Sequence, residues 1–303
     1  MDFLYLILGL IILVVGAEVV IRGSVSFGKR LNISLFAIGV VIVAGGTSLP
    51  ELASSINAVI TQHADLALGA VVGSNIANLI LVMAATTIIF PITNINNNQI
   101  NQAWINIALG IALIFMSYFY FNFVFGIISL ILLTFIMYIQ IKRGSVNIDE
   151  ISKGDYSTII SISLIIIGIV FLIYGSELFV SSAINLANTF SVSETVIGLS
   201  LIAFGTSLPE LVVGVMSALK RKVDFALGNI LGSNIYNVLG VLGVISFFDH
   251  FTMPNVLVTQ DLIFMLFITF MILGFMYFSK KLGRTYGVIG LVLYFSYMYF
   301  IYI

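Results

Sequence analysis

The chain has 303 residues, of which 60% are hydrophobic and 8% charged, with a net charge of −1. Soluble domains carry about 25% charged residues, so composition excludes an ordinary soluble enzyme, a disordered chain and a nucleic-acid-binding protein, and leaves a polytopic membrane protein. Cysteine is absent and the only histidines are His63 and His250, which excludes a disulfide framework, a thiolate metal site and a histidine metal cluster.

In chain order the hydrophobic runs predict ten transmembrane helices, at 3–21, 33–60, 66–90, 102–119, 122–141, 158–180, 192–219, 225–247, 258–278 and 286–303. Each is near the ~20 apolar residues that a span requires. Ile159–Ile173 is apolar at too many adjacent positions for the alternation of a β-barrel. The first run lacks a basic leader and a convincing cleavage site, and it has a counterpart in the second half, so it reads as a mature helix rather than a signal peptide.

The basic residues set the expected orientation. Arg22, Lys29 and Arg30 fall between spans one and two, and Lys142, Arg143 and Lys153 between five and six. Lys220, Arg221 and Lys222 fall between seven and eight, and Lys280, Lys281 and Arg284 between nine and ten. All 12 Lys and Arg thus lie on one side of a ten-span chain. The positive-inside bias predicts a multi-pass protein of the cell (inner or plasma) membrane with both termini outside the cytoplasm. The polar stretch 142–156 reads as a solvated linker. The expected division is a first five-helix repeat at 1–145, a cytoplasmic linker at 146–157 and a second repeat at 158–303.

An internal repeat organises the chain. Residues 46–52 and 205–211 both read GTSLPEL. Residues 65–78, DLALGAVVGSNIAN, match 224–237, DFALGNILGSNIYN, at nine of fourteen positions, and both matches share an offset of 159. The same offset pairs Gly16 with Gly175, Glu18 with Glu177 and Gly39 with Gly198. Five spans per repeat is an odd number, so the second copy enters the membrane from the opposite side. The predicted fold is an all-α polytopic protein whose ten helices form two inverted five-helix repeats.

The repeated polar residues carry the chemistry. Glu51 and Glu210 lie inside spans two and seven, where a charge costs at least ~2.5 kcal/mol, and no Lys or Arg lies at mid-depth to pair with them. Two dehydrated carboxylates brought together by the symmetry axis need a proton or a metal cation. A carrier that crosses only when loaded exchanges ions rather than leaking them. Pro50 and Pro209 remove the helical donors of the Gly46 and Gly205 carbonyls, and freed oxygens at membrane depth suit a cavity or an ion. Thr47 shares a helix face with Glu51, as Thr206 does with Glu210. Ser74 with Asn78, and Ser233 with Asn237, repeat the i, i+4 spacing and read as ion ligands beside the kinked helices. Asn75 and Asn234 point to another face and read as packing or cap residues. Gly69, Gly73, Gly228 and Gly232 read as close-approach positions.

Asp65 and Asp224 read as N-caps, Glu18 and Glu177 as interfacial acids. Tyr294, Tyr297, Tyr299 and Tyr302, like Trp104, read as lipid-facing or interfacial aromatics. Ligands that are all oxygen select hard cations: calcium and sodium are favoured, with the proton third. No catalytic residue and no cofactor is expected. An oligomeric pore does not fit a single chain that builds one central site, and no Ser-His or Asp-Asp dyad lies at membrane depth for a hydrolase.

With GTSLPE followed by GSN-x-x-N in each half, the sequence resembles the calcium/cation antiporter superfamily, specifically its prokaryotic-type sodium/calcium exchangers, over essentially the whole chain. The resemblance implies a secondary antiporter exchanging sodium for calcium by alternating access, and not an enzyme; a proton-coupled antiporter on the same fold is the alternative. It implies central calcium carboxylates at Glu51 and Glu210, and Thr47 and Thr206 as carbonyl and hydroxyl ligands. Ser48, Ser74, Asn78, Ser207, Ser233 and Asn237 would complete sodium and water sites, with the Ala44 and Ala203 carbonyls at the outer positions. It also implies about three sodium ions per calcium, hence electrogenic exchange, and gating by spans one and six sliding across the rest. The implied partners are calcium, sodium and the bilayer, with no nucleic acid and no obligate protein. Two departures stand out: Asn237 replaces an aspartate common in prokaryotic and potassium-dependent members, and Ala70 stands where the other half has Asn229.

Overall fold

The computed structural model describes residues 2–144, 156–189 and 203–302. Ten helical spans run through them. They are α1 (Asp2–Leu31), α2 (Leu35–Ile60), α3 (Ala64–Ile89), α4 (Asn97–Met116), α5 (Phe123–Arg143) and α6 (Thr158–Thr189). Then come α7 (Ala203–Thr206 continued by Leu208–Leu219), α8 (Val223–Ile245), α9 (Leu257–Ser279) and α10 (Arg284–Tyr302). Eight of these are long and apolar enough to cross a membrane by themselves. The expected linker 146–157 and the start of span seven lie largely outside the described residues.

Two spans are longer than their hydropathy predicts. α1 continues ten residues past the expected end at 21, with Lys29 and Arg30 in its last turn. α6 continues nine past 180. Hydropathy ends where polar residues begin, but backbone hydrogen bonding does not, and basic residues favour a helix C-terminus.

α1 and α6 form an antiparallel pair. Gly9, Gly16 and Gly23 recur every seventh residue on α1 and face Gly175, Gly168 and Ser161 of α6. A Cβ at Gly16 would lie 2.9 Å from Leu172 N, and one at Gly175 2.8 Å from Leu13 N. Small residues permit this backbone approach, as at other intramembrane helix contacts. The Gly16–Gly168 contact becomes Gly175–Gly9 when 159 is added to one residue and subtracted from the other. Equivalent helices in antiparallel contact with exchanged partners are related by a two-fold axis, which is the inverted repeat seen directly.

The remaining helices share a large apolar cluster, from Val59 and Leu68 through Ile107 and Met137 to Leu231, Ile268 and Tyr286. A second cluster joins Leu13, Ala17, Val20 and Leu172 of the α1–α6 pair to Ile38, Val43, Val213 and Phe225. The loops sort to two ends. Ser34 N–H donates to Gly144 O at 2.7 Å and Ile95 N–H to Lys280 O at 3.0 Å at the basic end. Phe121 and Phe251 exchange backbone hydrogen bonds at the other. Asp65 and Asp224 are not N-caps: His63 and Lys222 precede the helices, and the acids sit in the first turn, where the helix dipole favours negative charge.

Candidate ion-binding site

α2 and α7 break at the same place. Pro50 and Pro209 follow residues with the same non-helical backbone, Ser48 (φ −82, ψ 4) and Ser207 (φ −86, ψ 3). Each break puts a short turn, Ala44–Thr47 or Ala203–Thr206, before the acidic helix start that holds Glu51 or Glu210. α3 and α8 each carry a π-helical turn at the ligand amide, Asn78–Val82 and Tyr236–Val241. A third π turn, Gly39–Val43, precedes Ala44. Such turns release carbonyls from the regular ladder and are frequent at functional sites. Tyr236 Oη donates to Val41 O at 2.7 Å, and Tyr286 Oη donates to Leu79 O.

The side chains converge at these breaks. Glu51, Glu210, Asn78, Ser233 and Asn237 have no exposed surface, and Ala44, Thr47, Ser48, Ser74 and Ser207 are buried; Thr206 is half-buried. Ser74 Oγ donates to Glu51 Oε1 at 3.2 Å, and its repeat equivalent Ser233 Oγ donates to Glu210 Oε1 at 3.4 Å. The halves also meet each other. Ser207 Oγ donates to Ser74 Oγ at 3.2 Å, and Thr47 Oγ1 lies 3.4 Å from Ser233 Oγ.

Several oxygens are left over. Glu51 Oε2, Glu210 Oε2, Asn78 Oδ1, Asn237 Oδ1 and Ser48 Oγ are buried without a hydrogen-bond partner. Buried polar atoms are nearly always paired, and four of these five are pure acceptors contributed equally by the two repeats. Among the described residues no Lys, Arg or His bonds either glutamate, and no group of three or more His, Cys, Asp or Glu forms a metal cluster. The arrangement is short of positive charge.

Three features were not legible from motifs alone. Asn229, whose equivalent in the first repeat is Ala70, accepts from Thr47 Oγ1 at 3.3 Å. Its i, i+4, i+8 spacing with Ser233 and Asn237 is the signal that marks it. Asn75 and Asn234 are buried mid-helix and are not caps; they bond across the repeats to Asn237 and Asn78. The carbonyl freed by Pro209 accepts from Ser176 Oγ of α6 at 2.8 Å, so at Gly205 a side chain takes the place expected for a cavity or ion. Gly228 and Gly232 do act as close-approach positions: a Cβ would lie 2.2 Å from Phe36 O or 2.8 Å from Val40 Cα. The segment that would pair with Gly69 and Gly73 in the same register lies outside the described residues. Glu18, expected as an interfacial acid, forms ion pairs with Arg22 at 2.5 Å and Lys220 at 2.7 Å.

The sequence matches the family described as sodium/calcium exchanger protein over residues 1–142 and 160–303. The chain belongs to the sodium/calcium exchanger family. It is 37% identical over 298 residues to an uncharacterized membrane protein of Methanocaldococcus jannaschii, covering 96% of this chain and 94% of that one. It is 28% identical to the sodium/calcium exchanger MaX1 of Methanosarcina acetivorans, covering 98% and 97%. Among solved structures, the sodium-calcium exchanger NCX_Mj soaked with sodium and strontium superposes with a TM-score of 0.87 at 34% identity, over 98% of this chain and 97% of that one. The ten-helix inverted-repeat exchanger fold is therefore established for this multi-pass membrane protein.

Proposed function

We propose that calcium and sodium compete for the cluster built from Glu51, Glu210, Thr47, Thr206, Ser48, Ser207, Ser74, Asn78, Ser233 and Asn237, with the carbonyls of Ala44 and Ala203 at its two ends. The chain is a secondary antiporter that exchanges sodium for calcium by alternating access. The observation that supports this site is the set of unpaired buried acceptor oxygens, two carboxylate and two amide, drawn symmetrically from both repeats. Six to eight oxygens suit calcium. Neutral amide and hydroxyl oxygens beyond the carboxylate pair suit sodium better than a proton, which needs only the carboxylates.

Calcium leaves the two-carboxylate core formally neutral, and a third sodium leaves it positive. Exchange is then electrogenic, and each net charge is worth about 2.3 kcal/mol per 100 mV, about a 50-fold shift in the balancing calcium ratio. The repeats divide at 1–145 and 158–303 around a cytoplasmic linker at 146–157, and both termini face outward, in keeping with the basic residues at one end of the bundle.

Calcium uptake into proteoliposomes tests the reading. An imposed sodium gradient drives uptake and an imposed pH gradient alone does not. With voltage clamped by potassium and valinomycin, the balance point moves with potential. Uptake driven by the pH gradient in the absence of sodium refutes sodium coupling; a voltage-independent balance point refutes the third sodium.

A further inference from the structure

We infer that Asn75 and Asn234, which are not ligands in the site proposed above, fix the orientation of the two ligand amides, each acting on the amide of the opposite repeat. The inference rests on that site assignment. Asn75 and Asn234 are both buried and one residue past Ser74 and Ser233, so they face away from Glu51 and Glu210.

The chain of donors settles which way each amide points. A backbone carbonyl can only accept. Asn75 Nδ2 donates to Asn234 O at 3.4 Å, and Asn234 Nδ2 donates to Asn75 O at 3.3 Å. Each of these side chains therefore keeps its nitrogen on that carbonyl and turns its Oδ1 to the other side. Asn237 meets Asn75 Oδ1 and must present its NH₂, which it does at 3.0 Å. Asn78 presents its NH₂ to Asn234 Oδ1, also at 3.0 Å. With their nitrogens held, Asn78 and Asn237 turn their own Oδ1 atoms the other way, and these are two of the unpaired acceptors of the site.

An amide free to rotate by 180° would present NH₂ to the ion for part of the time, and NH₂ repels a cation. The four asparagines thus form a closed, two-fold exchange of hydrogen bonds that keeps oxygen towards the ions. The brace also selects amide over carboxylate at 237: a carboxylate has no N–H for Asn75 Oδ1, and Asn75 cannot turn over without losing Asn234 O. This accounts for asparagine at both Asn78 and Asn237 in a symmetric site.

Positioning through a partner differs from structural glue in whom it couples to. Double-mutant cycles on the full chain in proteoliposomes separate them, with the sodium concentration for half-maximal calcium exchange as the readout. Asn75→Leu, close in size and without the amide, is expected to raise that concentration about tenfold, with the maximal rate kept within about twofold. On an Asn237→Ala background it adds less than twofold; on Asn78→Ala it keeps its full factor. Asn234→Leu shows the mirror pattern, coupled to Asn78 and not to Asn237, and Asn75→Ser serves if the leucine variant does not fold. Full multiplication with Asn237→Ala, or an unchanged sodium dependence in variants that only melt earlier, overturns the inference. An Asn237→Ala variant with parental sodium dependence removes the ligand assignment itself, a failure visible before any cycle is closed.

Discussion

Removing one hydroxyl from α6 should change which face of the exchanger opens. Ser176 is buried, and its Oγ holds the Gly205 carbonyl at 2.8 Å. That carbonyl has no helical donor because Pro209 stands four residues on. The contact therefore joins the α1–α6 pair to the broken turn at the ion cluster. The repeat equivalent of Ser176 is Ala17, so the mirror contact, from α1 to the Gly46 carbonyl freed by Pro50, cannot form. In an inverted repeat the two halves exchange conformations between the outward- and inward-facing states. Ser176 accordingly stabilises the state described here and nothing equivalent stabilises the opposite one. A hydrogen bond of this kind contributes about 0.5–1.5 kcal/mol, and leaving a buried carbonyl unsatisfied costs about 1–3 kcal/mol. Ser176→Ala should shift the two-state ratio by about 1–2 kcal/mol, roughly 5- to 30-fold, towards the opposite state. Ala17→Ser should push the same way by supplying the missing donor, and the double variant should exceed either. Distances between spin labels on α6 and on α7 in nanodiscs read the populations directly. Unchanged populations in Ser176→Ala, or a shift by Ala17→Ser towards the present state, would refute the reasoning.

Two further predictions concern charge. In the proposed site Glu51→Gln and Glu210→Gln would each remove half of the negative charge available to calcium, and removing one partner of a buried ion pair costs about 3–5 kcal/mol. Calcium binding by calorimetry should weaken at least 100-fold in both variants while their elution as folded protein is unchanged; parental affinity in either would remove that carboxylate from the site. Lys220→Met breaks the Arg22–Glu18–Lys220 triad that ties α1 to the end of α7 at the basic face. Its members are partly exposed, so the effect is small, under about 1 kcal/mol, and should fade in high salt. An exchange rate that differs from parent equally at low and high salt would show that the triad does not act electrostatically.

The sequence reading succeeded where a residue type is forbidden by its surroundings. A glutamate or a proline inside an apolar helix has few explanations, and two copies at one register have fewer, so the burial of Glu51 and Glu210 within the bundle and the breaks at Ser48 and Ser207 were legible. Helix ends were less so: Leu31 closes α1, and α6 is still helical at Thr189, well beyond the apolar runs, because helical turns need no hydropathy where polar residues can be solvated. Residues whose role depends on a partner in another helix, 162 positions away for Asn75 and Asn237 and 29 for Ser176 and Gly205, were not legible at all. Nothing local distinguishes Asn75 from a packing residue until Asn237 is beside it, or Ser176 from any small helix residue until Gly205 loses its donor. Tyr294, expected to face lipid, is 8% exposed, and Tyr297 donates to a buried acid, Asp261 Oδ1, at 2.6 Å. An aromatic belt and a buried tyrosine share one composition, and only packing separates them. Tyr299, at 64% exposure, does face outward as expected.

The two apolar clusters explain how one site can serve both faces of the membrane. Side-chain hydrogen bonds between proposed ligands on different helices join α2, α3, α7 and α8 to one another. Those helices belong with α4, α5, α9 and α10 to the larger cluster, while Ile38, Val43, Val213 and Phe225 of α2, α7 and α8 pack in the smaller one. α1 and α6 make their tightest contacts with each other, glycine against glycine, and meet the rest through a smaller set of side chains. If this pair moves, as proposed for spans one and six, the proposed ligand oxygens would stay in place and the ions need not be released and recaptured as access switches. An empty site holds two uncompensated carboxylates, and closing apolar helices over them removes water that the charges require. A site holding calcium or sodium lacks that penalty. With the proposed site and a moving α1–α6 pair, obligatory exchange would follow from two carboxylates with no basic side chain bonded to them among the described residues, which the helix pair must cover before it can uncover them on the other side.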